Sequence, residues 1–185
     1  MEYRFYTTFS SSFDTFTIVW KKTDSESQVQ RIFLCDPGLK SEEKALESFE
    51  GIESESSSPI TTLGEEIQRF LKGEKVEFDL DLLDLNRCLE IQKRVLLADY
   101  KIPRGWVSTY KRIANHIGLY NGARVVGNAL ARNPFPIVIP CHRAIKTNGE
   151  LGGYQGGIEM KRILLEMEGI EISEKGKVIS EKLFY

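Results

Sequence analysis

Residues 124–145 read RVVGNALARNPFPIVIPCHRAI and join a stretch of small residues to a short apolar run that ends in Cys-His-Arg. The composition of the first part predicts a helix over 123–131, which the Asn-Pro dipeptide after it would terminate. Small residues at Gly122, Ala123 and Gly127 would let this helix approach another surface closely. The stretch therefore predicts a closely packed helix that is followed, after a short apolar run, by potentially reactive side chains.

The reactive side chains are Cys141 and its neighbours His142 and Arg143. Free cysteine has a pKa of roughly 8.5, and an adjacent base or positive charge increases the ionised fraction of a thiol. Because the thiolate is the nucleophilic form, Cys141 is the leading candidate nucleophile. The alternative is that Val138, Ile139 and Cys141 lie in a buried strand, where the sulfur only fills the core.

Another short helix is predicted just upstream. Ser108 can cap a helix that carries Tyr110, and Gly118 would end it. Two short helices joined by a glycine-containing turn are typical of helix-turn-helix proteins, although any corner between two helices gives the same pattern. In the helix at 123–131, Arg124 is nearly the only side chain that could hydrogen-bond to base edges. The helix is therefore suited to binding a narrow groove with little dependence on base sequence. A buried helix packed by small residues is the alternative.

The first half of the chain has the pattern of a mixed sheet. Residues 13–20 and 29–35 are rich in apolar and β-branched side chains and predict two strands of a hairpin or meander. Residues 76–85 predict a last strand, followed by the link to the second half.

Helices are predicted between and after these strands. The acidic, serine-rich stretch 41–59 predicts one short helix and a solvated loop. Thr62 with Glu65 predicts the capped start of a helix that continues through Leu71. Cys88 falls at helical spacing from later apolar residues, which predicts that it lies in the core of a further helix.

Charge divides the chain into two halves. Residues 1–85 carry 9 Lys and Arg against 18 Asp and Glu, a net charge of −9, whereas residues 86–185 carry 16 against 9, a net charge of +7. We therefore predict an N-terminal α/β domain over 1–85 and a C-terminal domain over 86–185. A basic half fits a polyanionic partner, and unevenly scattered surface charge is the alternative.

Cysteine and histidine content argues against a metal site or a disulfide framework. Cys35, Cys88 and Cys141 are too few and too irregularly spaced for either, and His116 and His142 are the only histidines. We expect no metal and no cofactor. No stretch approaches the roughly 18 apolar residues of a membrane span, and the N-terminus lacks a secretory pattern. We expect a soluble, cytoplasmic protein with reduced thiols and no membrane contact.

The stretch quoted first, followed by GELGGYQGG at 149–157 and LLEMEG at 164–169, resembles the O6-alkylguanine-DNA alkyltransferases, also called methylated-DNA protein-cysteine methyltransferases. The resemblance covers roughly residues 87–170, and the spacing of the PCHR tetrapeptide from Arg124 and Glu168 makes it specific. It implies an α/β (α+β) fold class. The N-terminal part would be a ribonuclease-H-like mixed β-sheet with helix, and the C-terminal part a mostly helical winged helix-turn-helix domain.

The reaction that this resemblance implies is DNA repair by direct damage reversal. Family members move a methyl or larger alkyl group from O6 of a guanine, with O4-alkylthymine as a further candidate substrate, to a protein cysteine, here Cys141. His142 would take the thiol proton through a water, and Glu168 would hold and polarise His142. Asn133 would fix the active-site turn, while Tyr110 would donate a hydrogen bond to the departing guanine. Each molecule would react once, because nothing regenerates the thioether.

The resemblance also implies that the damaged nucleotide is flipped out of double-stranded DNA, with the protein in the minor groove and acting as a monomer. Arg124 resembles the arginine that fills the vacated place in the stack, and the small residues of its helix would face DNA. Arg143 would contact DNA, and Tyr154 would form a wall of the base pocket. Backbone groups near Ala144 and Gln155 would read the guanine edge.

Two other functions stay open from the sequence. The first is a damaged-DNA sensor in which Cys141 is silent, although the non-repairing relatives lack the cysteine of this tetrapeptide. The second is a cysteine hydrolase that pairs Cys141 with His142. Adjacent residues usually point apart, and hydrolases draw their base from a distant part of the chain, so the hydrolase is the weaker alternative.

Overall fold

The computed structural model describes residues 3–23, 26–36 and 38–185. Within these ranges, none of the helices has the length and apolar character needed to cross a membrane.

The chain divides into two compact units. One unit runs to Arg87 and also includes Pro134–Val138, whereas the other comprises Cys88–Asn133 and Ile139–Tyr185. The inserted segment belongs to the first unit because the Pro134 carbonyl accepts a 2.8 Å hydrogen bond from the backbone N–H of Ile32.

A four-stranded sheet forms the first unit. Its strands are β1 (Arg4–Ser11), β2 (Asp14–Lys22), β3 (Ser27–Leu34) and β4 (Glu53–Ser54). The order is β3-β2-β1-β4, with antiparallel pairing except between β1 and β4, which are parallel. The predicted meander and the predicted mixed sheet are confirmed. The short strand β4 lies where the sequence predicted only a loop.

Two helices belong to this unit, α1 (Ser41–Ser48) and α2 (Ser58–Leu71). The predicted start of α2 at Thr62 is wrong, because Ser57 already has the extended backbone of a residue that precedes a helix. Pro59 follows in the first turn, where a missing N–H costs no hydrogen bond. The predicted end at Leu71 is confirmed.

The strand predicted over 76–85 does not form. The Asp79 carboxylate accepts a 2.9 Å hydrogen bond from the backbone N–H of Asp81, and this local turn competes with strand pairing. Among the described residues, the segment forms one isolated bridge, between Leu83 and Val29. The segment is an irregular link that ends in a 3-10 turn over Leu85–Arg87.

The second unit is mostly helical. Its helices are α3 (Glu90–Tyr100), α4 (Tyr110–His116), α5 (Ala123–Ala131) and α6 (Gly157–Met167). Two strand pairs accompany them: parallel β5 (Ser108–Thr109) with β6 (Ala144–Ile145), and antiparallel β7 (Glu171–Ile172) with β8 (Val178–Ile179). Helices α4 and α5 pack against each other and are connected by a short turn. The predicted mixed fold class is thereby confirmed, as are the predicted bounds of α5.

Two local predictions in this unit are wrong. The cap of α4 is Thr109, whose hydroxyl accepts a hydrogen bond from the Arg112 N–H. Ser108 is instead buried in β5 and donates to the Phe184 carbonyl. Cys88 lies before α3 and is half-buried, so it is not a core residue of that helix.

Candidate active site

A single 3-10 turn, Cys141–Arg143, carries the three reactive residues and is buried throughout. It leads directly into β6, where Ala144 pairs with Ser108 and Ile145 with Thr109. Because α4 begins at the next residue, this pairing brings Tyr110 to the same end of the unit as Cys141. Two segments more than thirty residues apart in sequence are thus joined at the site.

Asn133 braces the loop that precedes the turn. Its side-chain amide donates a 3.1 Å hydrogen bond to the Ile139 carbonyl, and its own carbonyl accepts one of 2.6 Å from Gln155. Asn133 is fully buried. Asn133 therefore ties the end of α5 to the loop that leads into the turn.

Glu168 lies behind the turn and binds two of its side chains. His142 Nε2 is 2.9 Å from Oε1 of Glu168, and Arg143 donates from Nη2 at 2.7 Å and from Nε at 2.9 Å. Arg143 Nη1 also donates to the Ile102 carbonyl at 2.6 Å. Because a carboxylate only accepts, Nε2 of His142 carries the proton and Nδ1 carries the lone pair.

This arrangement corrects the expectation that Arg143 contacts DNA. Arg143 is 9% exposed, and its guanidinium donates hydrogen bonds to Glu168 and to the Ile102 carbonyl. Arg143 is therefore a buried counter-ion of Glu168. Although Arg143 is close to Cys141 in the sequence, its positive charge is directed at the Glu168 carboxylate.

At neutral pH Cys141 and His142 rest in their neutral forms, whereas Glu168 is a carboxylate. Burial, and after it the charge of Asp99, raises the pKa of Cys141 to about 12. Burial also lowers the pKa of His142, against the opposing effect of Glu168. Burial raises the pKa of Glu168 as well, but His142 and Arg143 outweigh it and lower that pKa to about 2. The resting pair at neutral pH is a thiol and a neutral imidazole.

Cys141 opens onto a small pocket of about 60 Å³. Its lining residues are Tyr110, Gly127, Leu130, Ala131, Cys141, Gly153, Tyr154 and Gln155. Pockets that hold drug-sized molecules typically measure roughly 300 Å³ or more, so this one is small. Gly152, with a φ of +74°, lets the backbone lie close to Tyr110, since a Cβ there would be 2.5 Å from the Tyr110 hydroxyl.

Both tyrosines of the pocket are protonated hydrogen-bond donors at neutral pH. Burial raises the pKa of Tyr110 to about 12, and it raises the pKa of Tyr154 well above its ordinary value. The ring of Tyr154 meets that of His142 edge-on, with centroids 6.4 Å apart. The walls of the pocket are thus aromatic and able to donate.

Helix α5 presents both small and long side chains. Arg124 is exposed, Ala123 and Gly127 are half-buried, and Gly122 is buried against Leu119. A Cβ at Gly127 would meet nothing within 4 Å, so the helix surface beside the pocket is open. The helix therefore joins an exposed arginine to the pocket that holds Cys141.

Two buried charged residues at the site were missed from the sequence. Lys161 donates 2.6 Å hydrogen bonds to the carbonyls of Ala144 and Leu151, so the Ala144 carbonyl is already occupied. Asp99 in α3 is fully buried. A signal existed for both, since each interrupts the apolar face of its helix, Asp99 following Val95 and Leu96 at helical spacing.

The described residues contain no cluster of three or more His, Cys, Asp and Glu side chains that could hold a metal ion. The site combines the Cys141 thiol, the His142 imidazole as a base, and the tyrosine hydroxyls as hydrogen-bond donors. These are the groups that a nucleophilic transfer reaction requires.

Comparison with known proteins identifies the family. Residues 90–170 match the family model described as 6-O-methylguanine DNA methyltransferase, DNA binding domain. A methylated-DNA protein-cysteine methyltransferase of Methanothermobacter thermautotrophicus is 46% identical over 129 residues, which are 69% of this chain and 72% of the relative. The chain belongs to the methylated-DNA protein-cysteine methyltransferase family. A Mycobacterium tuberculosis protein of the same name is 45% identical over 104 residues, 56% of this chain and 62% of the relative.

Solved structures of methyltransferases agree with the fold. The crystal structure of Mycobacterium tuberculosis OGT in complex with DNA has a TM-score of 0.72 at 32% identity and covers 88% of this chain and 91% of that one. The O6-methylguanine-DNA methyltransferase of Pyrococcus kodakaraensis has a TM-score of 0.65 at 28% identity and covers 89% and 99%. This methyltransferase thus repairs DNA by alkyl transfer, and DNA is its partner.

Proposed function

We propose that Cys141 is the alkyl acceptor and that its substrate is O6-alkylguanine in double-stranded DNA. The observation that carries the proposal is the position of the Cys141 thiol in an aromatic pocket, in the same turn as a histidine held by a buried carboxylate. O4-alkylthymine would be a second substrate of the same pocket.

The reaction is a displacement at the alkyl carbon. The Cys141 sulfur forms the new C–S bond while the C–O6 bond breaks and its electron pair goes to guanine. The thiol proton passes to His142 Nδ1 through a water, and the guanine gains a proton in its place, so that alkylguanine and thiol become guanine and thioether. Tyr110 stabilises the departing base by donating a hydrogen bond. No step regenerates the thiol, and each molecule acts once.

A neutral resting pair suits this chemistry. A buried thiol with a raised pKa stays protonated until a base that completes the site is present, and the neutral imidazole is ready to accept the proton. The imidazolium that then forms is stabilised by Glu168, whose two oxygens are fixed by Arg143. Arg143 is thus a positioning residue for Glu168.

The DNA side of the proposal assigns α5 to the minor groove. Small side chains at Gly122, Ala123 and Gly127 would allow close approach of the helix to the groove. Arg124, exposed at the start of α5, would enter the duplex in place of the flipped nucleotide, whose unstacking costs a few kcal/mol.

Within the pocket, Tyr154 would stack on the flipped base and Gln155 would support its edge. Asn133, which Gln155 holds, would keep the Cys141 turn in place. Backbone groups near Ala144 would read the edge of the base, although at Ala144 itself the carbonyl is bound by Lys161 and the N–H donates to the Cys141 carbonyl.

We also propose that the reactive domain is 86–185, supported by the N-terminal domain over 1–85, and that the protein acts as a monomer. A free nucleophilic thiol requires a reducing compartment, which favours the cytoplasm and association with the nucleoid when DNA is bound.

The test separates transfer from binding. Cys141→Ala should abolish alkyl transfer from an O6-methylguanine duplex while the variant still binds that duplex, measured by fluorescence anisotropy. Cys88→Ala, a half-buried cysteine outside the pocket, is the control and should transfer normally. Transfer by the Cys141 variant would remove Cys141 from the mechanism, and binding without transfer by the wild type would establish a damage sensor.

A further inference from the structure

A β-turn links α3 to β5. The Trp106 N–H donates a 3.1 Å hydrogen bond to the Pro103 carbonyl and closes this turn. Gly105 is the third residue of the turn and has a φ of +77°. A type II turn requires a positive φ at this position, and glycine adopts it without strain. The shape of the turn therefore depends on Gly105.

Gly105 also contacts Glu168, the carboxylate that holds His142. Its N–H donates a 3.3 Å hydrogen bond to Oε2, and a Cβ on Gly105 would lie 3.2 Å from the Glu168 carbonyl oxygen. A carboxylate has about four lone-pair sites. The other donors to Glu168 are Nε2 of His142 and both Nη2 and Nε of Arg143, so the Gly105 N–H supplies a fourth.

Two further hydrogen bonds strengthen this link. Arg104 Nη2 donates at 3.0 Å to the carbonyl of Met167, which ends α6 directly before Glu168. The Ile102 carbonyl accepts a 2.6 Å hydrogen bond from Nη1 of Arg143. Residues 102–105, which we call the bracing segment, thus bind Glu168, the residue before it and its counter-ion.

We propose that the bracing segment positions Glu168 for its action on His142 and that Gly105 is the residue on which this positioning depends. The proposal rests on His142 being the group that takes the thiol proton. A carboxylate held by fixed donors already has the orientation that stabilises an imidazolium, so the site needs no reorganisation when the proton arrives. Gly105 acts through Glu168 and is therefore a positioning residue.

Replacement of Gly105 by alanine should disturb Glu168 in two ways. The added methyl group would lie 3.2 Å from the Glu168 carbonyl oxygen, a tight contact that one of the two residues must relieve by moving. Alanine also rarely adopts a φ of +77°, and a change of this angle would turn the Gly105 N–H away from Oε2. Both changes should loosen the hydrogen bond between Glu168 and Nε2 of His142.

Gly176 provides a matched control in the same unit. It lies in the hairpin between β7 and β8, has a φ of +71° and is half-buried, as Gly105 is. A Cβ at Gly176 would meet none of the described residues within 4 Å. Gly176→Ala therefore introduces the same backbone strain without a contact to Glu168.

The first experiment measures reaction with free O6-benzylguanine at neutral pH. Mass spectrometry of the Cys141 peptide gives the maximal rate constant and the half-saturating concentration of wild type, Gly105→Ala and Gly176→Ala. Gly105→Ala should lower the maximal rate constant by about tenfold, the effect of losing one hydrogen bond to a charged group, and leave the half-saturating concentration unchanged. Gly176→Ala should match the wild type.

Gly105→Asn keeps the test valid if the alanine variant does not fold. Asparagine tolerates a positive φ better than alanine does, yet it still carries a Cβ. Gly105→Asn should therefore show the same loss in the maximal rate constant, caused by the contact with Glu168 alone.

The second experiment reports on Glu168 and His142 without any substrate. A ring N–H that donates to a buried carboxylate is shielded from exchange with water and gives a separate low-field proton resonance in NMR spectra. Wild type and Gly176→Ala should show this resonance for Nε2–H of His142, whereas the other histidine, His116, is exposed. Both Gly105 variants should shift the resonance upfield or lose it.

Two results overturn the proposal. One is a maximal rate constant in the Gly105 variants equal to that of Gly176→Ala. The other is an unchanged His142 resonance in those variants, because Gly105 would then not act through Glu168. A benzyl group on another cysteine of the wild type would instead contradict Cys141 as the acceptor, and the resonance, measured without substrate, would still decide whether the bracing segment positions Glu168.

Discussion

At the scale of single residues, the site is governed by burial more than by the flanking cations. Arg143 follows Cys141 by two positions in the sequence, yet its guanidinium is bound to Glu168. Burial raises the pKa of Cys141 and lowers that of His142, so the resting thiol is protonated at neutral pH and is a poor nucleophile. A protein that can react only once gains from such protection, because every adventitious alkylation removes one molecule.

Glu168 should contribute to stability in a pH-dependent way. Its pKa is about 2 in the folded protein, against roughly 4.3 for an unperturbed glutamate. This lowered pKa stabilises the fold above pH 4, by on the order of 3 kcal/mol, and the contribution is lost as the pH falls from about 4 to 2. Urea unfolding at pH 6 and pH 3 should show roughly half of this loss in the wild type, and the loss of stability in Glu168→Gln should be smaller by that amount.

The matched control for that measurement is Glu166→Gln. Glu166 forms an exposed ion pair with Arg162 four residues earlier, and exposed pairs contribute at most about 1 kcal/mol. Equal pH dependence in the two variants would show that the buried cluster does not stabilise the fold.

The roles of individual residues could be predicted from the sequence only where the resemblance to the family indicated them. The partnership of His142 with Glu168 came from that pattern, since the two are 26 residues apart. The direction of the Arg143 side chain was not predictable, because spacing does not specify which neighbour a side chain meets. Asp99 and Lys161 were missed because charged residues on a helix are expected to face solvent.

At the scale of elements, α5 links the exposed surface to the pocket. The Arg124 side chain is exposed at one end, and Arg132 is exposed just after the other. If Arg124 replaces the flipped nucleotide, its role is needed only when the base starts inside a duplex. The two arginines therefore form a matched pair for testing the helix.

Arg124→Ala should slow repair of an O6-methylguanine duplex by tenfold or more, since about 1.4 kcal/mol of lost stabilisation gives a tenfold change. Reaction with free O6-benzylguanine should change little, and Arg132→Ala should leave both rates close to wild type. Single-turnover rates for the two substrates provide the comparison. An equal loss on both substrates would argue against entry of Arg124 into the duplex.

Elements were predictable where one local signal dominated. The bounds of α5 followed from its composition and from the Asn-Pro dipeptide after it. The segment 76–85 was misassigned because its apolar residues suggest a strand, while Asp79 closes a local turn. The start of α2 was displaced because Thr62 and Glu65 imitate a capping box inside the helix. In each miss a local hydrogen bond or backbone conformation, invisible in the composition, decided the structure.

At the scale of the whole molecule, charge is separated along the chain. The net charge of +7 over 86–185 accompanies the DNA-binding segment, while the −9 of the first half would be repelled by phosphates. We therefore expect the basic half to meet the phosphates.

The affinity for undamaged duplex should therefore fall steeply with salt. Each phosphate neutralised contributes a slope of about −0.9 to the dependence of log K on log salt concentration. Anisotropy titrations between 50 and 200 mM salt measure this slope. If the protein neutralises a handful of phosphates, its affinity should fall by about two orders of magnitude over this range. An affinity independent of salt would contradict phosphate binding by the basic half.

The central claim is that Cys141 accepts the alkyl group, and mass spectrometry tests it most directly. The protein is incubated with an excess of a duplex containing one O6-methylguanine, and intact and peptide masses are then measured. The account predicts one added methyl group per molecule, saturating there and located on the peptide that carries Cys141. An unchanged mass in protein that binds the duplex, or a methyl group on another peptide, would contradict it.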